Sequence, residues 1–199
     1  MKVIGLTGGI ASGKTTVSDI LKGHGAVIID ADKISRKIFI KDSPVYKEVV
    51  KEFGNSVLKG DGEIDRKKLG NIVFNDYNKL KKLNEITHPV IIEDIKEKIE
   101  KERSIGKEKA VILDAALLIE SKLYEIVDEV WLIVVDTKTQ IDRLMERDKL
   151  SYEDAANRIK SQMPIEDKMK HADFLINNCR DINTLKKQID LFWERFALK

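Results

Sequence analysis

GLTGGIASGKTT, residues 5–16, places four glycines in twelve positions directly behind an apolar opening and closes on a lysine and two threonines. Glycine weakens helices and strands alike, so a cluster this dense marks a place where the backbone itself is the working part. The spacing Gly8-x-x-x-x-Gly13-Lys14-Thr15 is that of a phosphate-binding loop. The glycines let the chain curl until successive N–H groups converge on phosphate oxygens. A helix beginning near Lys14 adds the partial positive charge of its N-terminus. Gly8, Gly9, Ala11, Ser12 and Gly13 are then the loop that cradles a nucleoside triphosphate. Lys14 reaches the outer phosphates, the Thr15 hydroxyl can ligate Mg2+, and Thr16 can donate to the α-phosphate.

Working outward, the loop lies between an apolar strand pattern, Lys2–Thr7, and a helical pattern, Lys14–His24. Further apolar runs follow at Ala26–Ile29, Ala110–Leu113, Val130–Val135 and Phe174–Ile176. They are continuous rather than alternating, which predicts strands buried on both faces, as in a parallel sheet between helices. Right-handed β-helix-β crossovers are the default connection. The expected fold is therefore α/β, with a five-stranded parallel sheet in the three-layer arrangement of phosphate-loop NTPases. The spacing breaks once. Some 80 residues between Ile29 and Ala110 carry helix signals and no strand signal. Pro44, Asp65 and Asp76 open helices there, with a turn-rich GDGEID between the first two, and the region reads as a mostly helical insertion. Ser151 with Asp154 resembles a capping box opening a helix that ends near Met163-Pro164. Leu185, Ile189, Phe192 and Phe196 share one face of a last helix, as core packing would have it.

Composition narrows the classes. The chain has 199 residues, ample for one domain with an insertion, and 36 basic against 34 acidic side chains leave a net charge of +2. That balance offers no basic field for nucleic acid, so the working positive charge must be local. No apolar run approaches the roughly 20 residues of a membrane span, and the N-terminus lacks a signal-peptide pattern. The single cysteine, Cys179, allows no internal disulfide and reads as a small core residue; a cytoplasmic location is expected.

Within the phosphate-loop class, a GTPase would need Asn-Lys-x-Asp and Asp-x-x-Gly. The chain's Asn78-Lys79 continues as Leu80-Lys81, and no Asp stands three residues before a Gly. Hydrolytic motors usually place a Glu after the strand-end Asp, where this chain has Asp114-Ala115. A small kinase remains, transferring phosphate to a bound alcohol or phosphate. Such an enzyme needs a base beside the loop, and IIDADKISR supplies Asp30 and Asp32 at the carboxyl end of the second strand, where ligands bind in open α/β sheets. Asp32 can face the γ-phosphate and accept the alcohol proton, or cap the following helix. Cations must also close over the transferring group. Arg143 and Arg147 lie four apart on one helical face, and Arg158 and Gln162 repeat the spacing on the next. Two rivals stand beside this reading: a different nucleotide or small-molecule kinase, and a nucleotide-sensing module without turnover.

The chain resembles the dephospho-coenzyme A kinase family nearly end to end. IGLTGGIASGKTTV is similar to that family's phosphate loop and DADKISR, residues 30–36, to its substrate-side motif. FGNSVLKGDGEIDRKKLGNIVF and LNEITHPVI match its helical insertion, and RLMERD, RIKSQM and ADFLINN its lid and fifth-strand motifs. The insertion motifs are the specific ones. The resemblance implies that ATP phosphorylates the ribose 3′-hydroxyl of dephospho-coenzyme A, the last step of coenzyme A biosynthesis. It implies a nucleotide core at 1–35 and 93–199 with a lid at about 143–163, and a coenzyme A-substrate insertion at 36–92. Asp32 would be the base, Lys14 the γ-phosphate contact, Thr15 the Mg2+ ligand, Arg143 and Arg147 the phosphate clamps. Asn178 would lie on the adenine side, and Arg36, His88 and Glu120 on the acceptor side. His88-Pro89 also reads as a helix-start proline beside a histidine satisfied by backbone, and Glu120 as half of a local ion pair. The implied partners are ATP and dephospho-coenzyme A alone, with no nucleic acid and no membrane. Three departures stand out. Ala11 replaces the usual glycine, an extra methyl that is tolerable if the local φ is negative. Ala115 and Ala116 replace the usual proline region. Arg180 and Asp181 follow Asn178 where glycine and serine are common.

Overall fold

The apolar runs pair side by side. The described residues of the computed structural model are 1–73, 75–106 and 109–197. Among them five parallel strands, β1 (Lys2–Gly8), β2 (Val27–Asp30), β3 (Ala110–Asp114), β4 (Glu129–Val134) and β5 (Phe174–Asn177), lie in the order β2-β3-β1-β4-β5. The helices in chain order are α1 (Lys14–Gly23), α2 (Ala31–Lys37), α3 (Pro44–Phe53), α4 (Arg66–Val73), α5 (Tyr77–Ile105), α6 (Thr137–Asp148), α7 (Tyr152–Lys160), α8 (Ile165–Met169) and α9 (Ile182–Ala197). The side chain of Phe196, expected on the apolar face of α9, lies outside the described residues.

Every residue of β3 and nearly every residue of β1 is buried, which is why these strands read as unbroken apolar runs. On one face Ile4, Leu6, Ile112 and Ile133 pack against Val17 and Leu21 of α1 and Leu185 and Ile189 of α9. Trp131 anchors the same core, with the rings of Phe174 and Phe192 edge-on to it, each at 5.9 Å. Register sets the site. Leu6 of β1 and Asp30 of β2 are both level with Asp114 of β3, so the central strands end together, with two carboxylates side by side and the glycine loop just beyond β1.

The chain divides into two compact units, Met1–Asp30 with Ile99–Lys199, and Ala31–Lys98, a few residues wider than the 36–92 insertion expected from sequence. The second unit has its own core of Val45, Val49, Val57, Ile64, Leu69 and Val73. Ser43 caps α3 by accepting from the Tyr46 amide, with Pro44 in the first turn. The GDGEID turn returns the chain so that Leu58 and Ile64 pair as an antiparallel bridge, and the Tyr46 hydroxyl donates to the Gly62 carbonyl at 2.6 Å.

Three local expectations change. Pro89 does not start a helix; it lies inside the 29-residue α5. A proline there has no N–H to give the carbonyl four residues back, and the flanking turns carry the helix across the gap. α7 opens as expected, with Ser151 accepting from the Asp154 amide, yet it ends at Lys160, before Met163. The residue before a proline is pushed out of helical geometry, which stops the helix short of Pro164. Cys179 is exposed rather than in the core, because it stands past the end of β5, where its sulfur accepts from the Asp136 amide at 3.3 Å. No helix among the described residues is long and apolar enough to cross a membrane.

Candidate active site

The phosphate loop is held by side chains of α6 and of the segment after β5. Asn178, buried after β5, donates from Nδ2 to the Ser12 carbonyl at 2.7 Å. Arg143 of α6 donates from Nη1 to the Ala11 carbonyl at 3.3 Å and from Nη2 to the Asn178 carbonyl at 3.0 Å. Gln140 of α6 donates from Nε2 to the Ile10 carbonyl at 2.8 Å. In a trans peptide the C=O and the following N–H point in opposite directions. Holding the carbonyls of residues 10 and 12 therefore fixes the direction of the amides of Ala11 and Gly13, which point the opposite way and can serve a phosphate. The Ser12 amide closes a turn onto the Gly9 carbonyl at 3.1 Å.

Two positions need their backbone freedom. Gly13 has φ +90°, and a Cβ there would collide with Asn178 Nδ2, so glycine is required on both counts. Ala11 has φ +59°, so the condition under which its extra methyl is easily tolerated, a negative φ, is not met. A left-handed alanine costs about 1–2 kcal/mol relative to glycine. The bond from Arg143 and the packing of Ile10 and Ala11 against Ile141, Leu144 and Ala155 hold it there.

Inside the loop's curl lies an open cleft of about 710 Å³ that gathers residues 8–15 with Ala116, Arg143, Glu146, Arg147 and Gln162. Lys14 lies in its wall, its ammonium paired with the carboxylate of Asp114. The other Asp114 oxygen accepts from the Ser18 hydroxyl at 2.6 Å, so this buried acid is held by two groups of α1. Three cations, Lys14, Arg143 and Arg147, thus meet one acid, Glu146, beside the phosphate loop. This is an anion site shaped for a chain of phosphates. Asp114 was legible in the sequence only as the polar end of the third apolar run; its pairing with Lys14 depends on the register of β3 beside β1.

A family model described as dephospho-CoA kinase matches residues 2–184. The chain belongs to the dephospho-CoA kinase family. A dephospho-CoA kinase of Carboxydothermus hydrogenoformans is 47% identical over all of this chain and 96% of its own length. The solved dephospho-CoA kinase of Campylobacter jejuni is 33% identical with a TM-score of 0.71, covering 97% of this chain and 96% of that one. A Thermus thermophilus crystal structure aligns at TM-score 0.81 and 27% identity over 98% of this chain and 97% of that one. The fold is thus that of the P-loop kinases and the chain is a kinase, of a family that uses ATP.

In this dephospho-CoA kinase family member the expected site residues fall into groups. Gly8, Gly9, Ala11, Ser12, Gly13, Lys14, Thr15, Arg143 and Arg147 share the cleft. Arg147 is bound through Nε and Nη2 to Asp148 at 2.8 and 3.0 Å, and Arg158 reaches the same carboxylate at 2.9 Å. The bond from Arg147, above all, holds Asp148 below the usual carboxylate range. Thr16 lines a separate groove with Asp19, Ile182 and Lys186. Asn178 spends its amide on the loop. Glu120 accepts from the buried Lys168 of α8 at 2.7 Å. Its other oxygen, Oε2, is buried with no hydrogen-bond partner among the described residues. Lys168 was not legible as a site residue, because one lysine among many in a charged segment carries no sequence signal. Asp32, Arg36 and His88 belong to the second unit. Asp32 lies in the first turn of α2 rather than ahead of it, and the Arg36 carbonyl accepts from Arg66. Burial pushes the His88 imidazole below its ordinary value, so it is neutral at neutral pH.

Proposed function

We propose that this chain transfers the γ-phosphoryl group of ATP to the ribose 3′-hydroxyl of dephospho-coenzyme A, giving coenzyme A and ADP. The observation that carries the reading is the cleft in which Lys14, Arg143 and Arg147 meet the phosphate loop, in a chain whose residues 2–184 match the family. In the proposed reaction the 3′-oxygen forms a bond to the γ-phosphorus while the bond to the β,γ-bridging oxygen breaks, and ADP leaves. The hydroxyl proton passes to the Asp32 carboxylate. Lys14 and the two arginines stabilise the charge on the transferring oxygens, and loop amides bind the β-phosphate.

Mg2+ fits the residues present. Thr15 offers a hydroxyl in the cleft and Asp114 a carboxylate at the strand end, both hard oxygen donors. Mg2+ is commonly held by one or two protein oxygens together with phosphates and water. When bound, such an ion supplies charge neutralisation at the β- and γ-phosphates. The second unit, with Arg36 and His88, is the proposed acceptor domain, and Glu120 a second acceptor contact through its unsatisfied oxygen. The helices around 143–163 are the proposed lid, and the cytoplasm the proposed location.

The test is ADP release with dephospho-coenzyme A compared with AMP, shikimate and no acceptor. Dephospho-coenzyme A alone should drive turnover, and Asp32→Asn should lower kcat by at least about a hundredfold with acceptor affinity little changed. ADP release driven by AMP or shikimate would move the chain to another acceptor class. Calorimetry showing lost acceptor binding with normal single-turnover chemistry would reassign Asp32 to recognition.

A further inference from the structure

In the phosphate loop, Ile10 has both its N–H and its C=O bound by side chains. Its amide donates to Gln162 Oε1 at 2.7 Å, and its carbonyl accepts from Gln140 Nε2 at 2.8 Å. The chain has only three glutamines, and two of them meet here. Gln140 comes from the first turns of α6, and Gln162 from the turn after α7. The approach is close enough to dictate a neighbour: a Cβ on Gly9 would lie 2.7 Å from Gln140 Nε2. The next residue is the left-handed Ala11, whose methyl and the Ile10 side chain pack into the small core between α6 and α7.

We infer that Gln140 and Gln162 are positioning residues that fix the phosphate loop in its ATP-binding shape, so that the nucleotide site is formed only while the α6–α7 helix pair is docked on the loop. The inference rests on the ATP-dependent reading above. The physical reason is local. An alanine with positive φ relaxes toward ordinary backbone unless its neighbours are held. Ile10 has two peptide planes that could rotate to allow this, and each glutamine holds one. A glutamine matches the task because its carboxamide carries a donor and an acceptor at one reach, so one side chain can take a carbonyl and the other an amide. Rotation of the Ile10–Ala11 plane, which Gln140 holds, turns the Ala11 amide, and rotation of the Gly9–Ile10 plane, which Gln162 holds, turns the Ile10 amide, with the Lys14 side chain and the acceptor left as they are.

Methionine keeps the length of glutamine and removes both polar atoms, so Gln140→Met and Gln162→Met are the variants. Affinity for a non-hydrolysable ATP analogue and for dephospho-coenzyme A, the melting temperature, and hydrogen exchange at the Ile10 amide are measured on the full chain. Each variant should weaken the ATP analogue about fivefold, the usual worth of a net hydrogen bond, while acceptor affinity and melting temperature stay near the parent. In Gln162→Met the Ile10 amide should lose protection. In Gln162→Glu it should regain it, because a carboxylate oxygen still accepts. ATP-analogue affinity within twofold of the parent in both methionine variants overturns the inference. So does a joint loss of ATP affinity, acceptor affinity and melting temperature, which is the mark of simple unfolding. Failure of Gln162→Glu to protect Ile10 also overturns it. A parent that binds the ATP analogue but phosphorylates no dephospho-coenzyme A sinks the acceptor reading instead, and the analogue affinities still judge the glutamines.

Discussion

Lys14 shows how one side chain serves two ends. Its spacing from Gly8 and Gly13 marks it as the phosphate contact, and the folded chain pairs it with buried Asp114. Lys14→Met should therefore have two effects. Loss of the charge that meets the transferring group should lower kcat/KM by more than about a hundredfold. Loss of the cation beside a buried carboxylate should also lower the melting temperature, with Ser18 still donating to Asp114. Retention of more than about a tenth of kcat/KM, a loss under roughly 1.4 kcal/mol, would remove Lys14 from the chemistry. The phosphate-loop residues were legible because their spacing is local and their φ values are demanding. Asp114 and the bonds to Ile10 were not, because each joins residues a hundred or more positions apart.

At the scale of elements, α8 is short but carries a fully buried lysine. Lys168 binds Glu120 in the segment after β3, and its ammonium lies 3.5 Å from the Ala116 carbonyl, whose residue lines the phosphate cleft. The pair thus ties α8 to the wall beside Lys14. Lys168→Met should lower stability by about 3 kcal/mol, the low end for a broken buried pair because Glu120 keeps some contact with water. For a chain of this size that is a fall of about 6–12 °C in melting temperature. Adding Glu120→Gln should recover most of it, since the orphaned charge is then gone. Thermal melts of the single and double variants check this, and a double variant no more stable than the single would mean that packing, not charge, sets the cost. Helix starts followed sequence where a cap or a proline acts locally, as at Pro44 and Ser151. Pro89 misled because a long helix tolerates one missing bond when packing holds the turns on either side.

Over the whole molecule, the prediction concerns division of labour. Dephospho-coenzyme A should slow hydrogen exchange within Ala31–Lys98, and an ATP analogue should slow it at residues 8–16 and 143–163. An Ala31–Lys98 unit that exchanges unchanged at saturating dephospho-coenzyme A would end its assignment as the acceptor domain. The sequence by itself determined the parallel sheet, the phosphate loop and the helical insertion, because continuous apolar runs, glycine spacing and helix caps are short-range physics read within a dozen residues. Only the tertiary structure decided that Asp114 faces Lys14, that Lys168 neutralises Glu120, and that Gln140, Gln162, Arg143 and Asn178 hold the loop. Those contacts arise where β1, β3, β4 and β5 end together, and strand order and register, which no local pattern encodes, choose which distant side chains meet there.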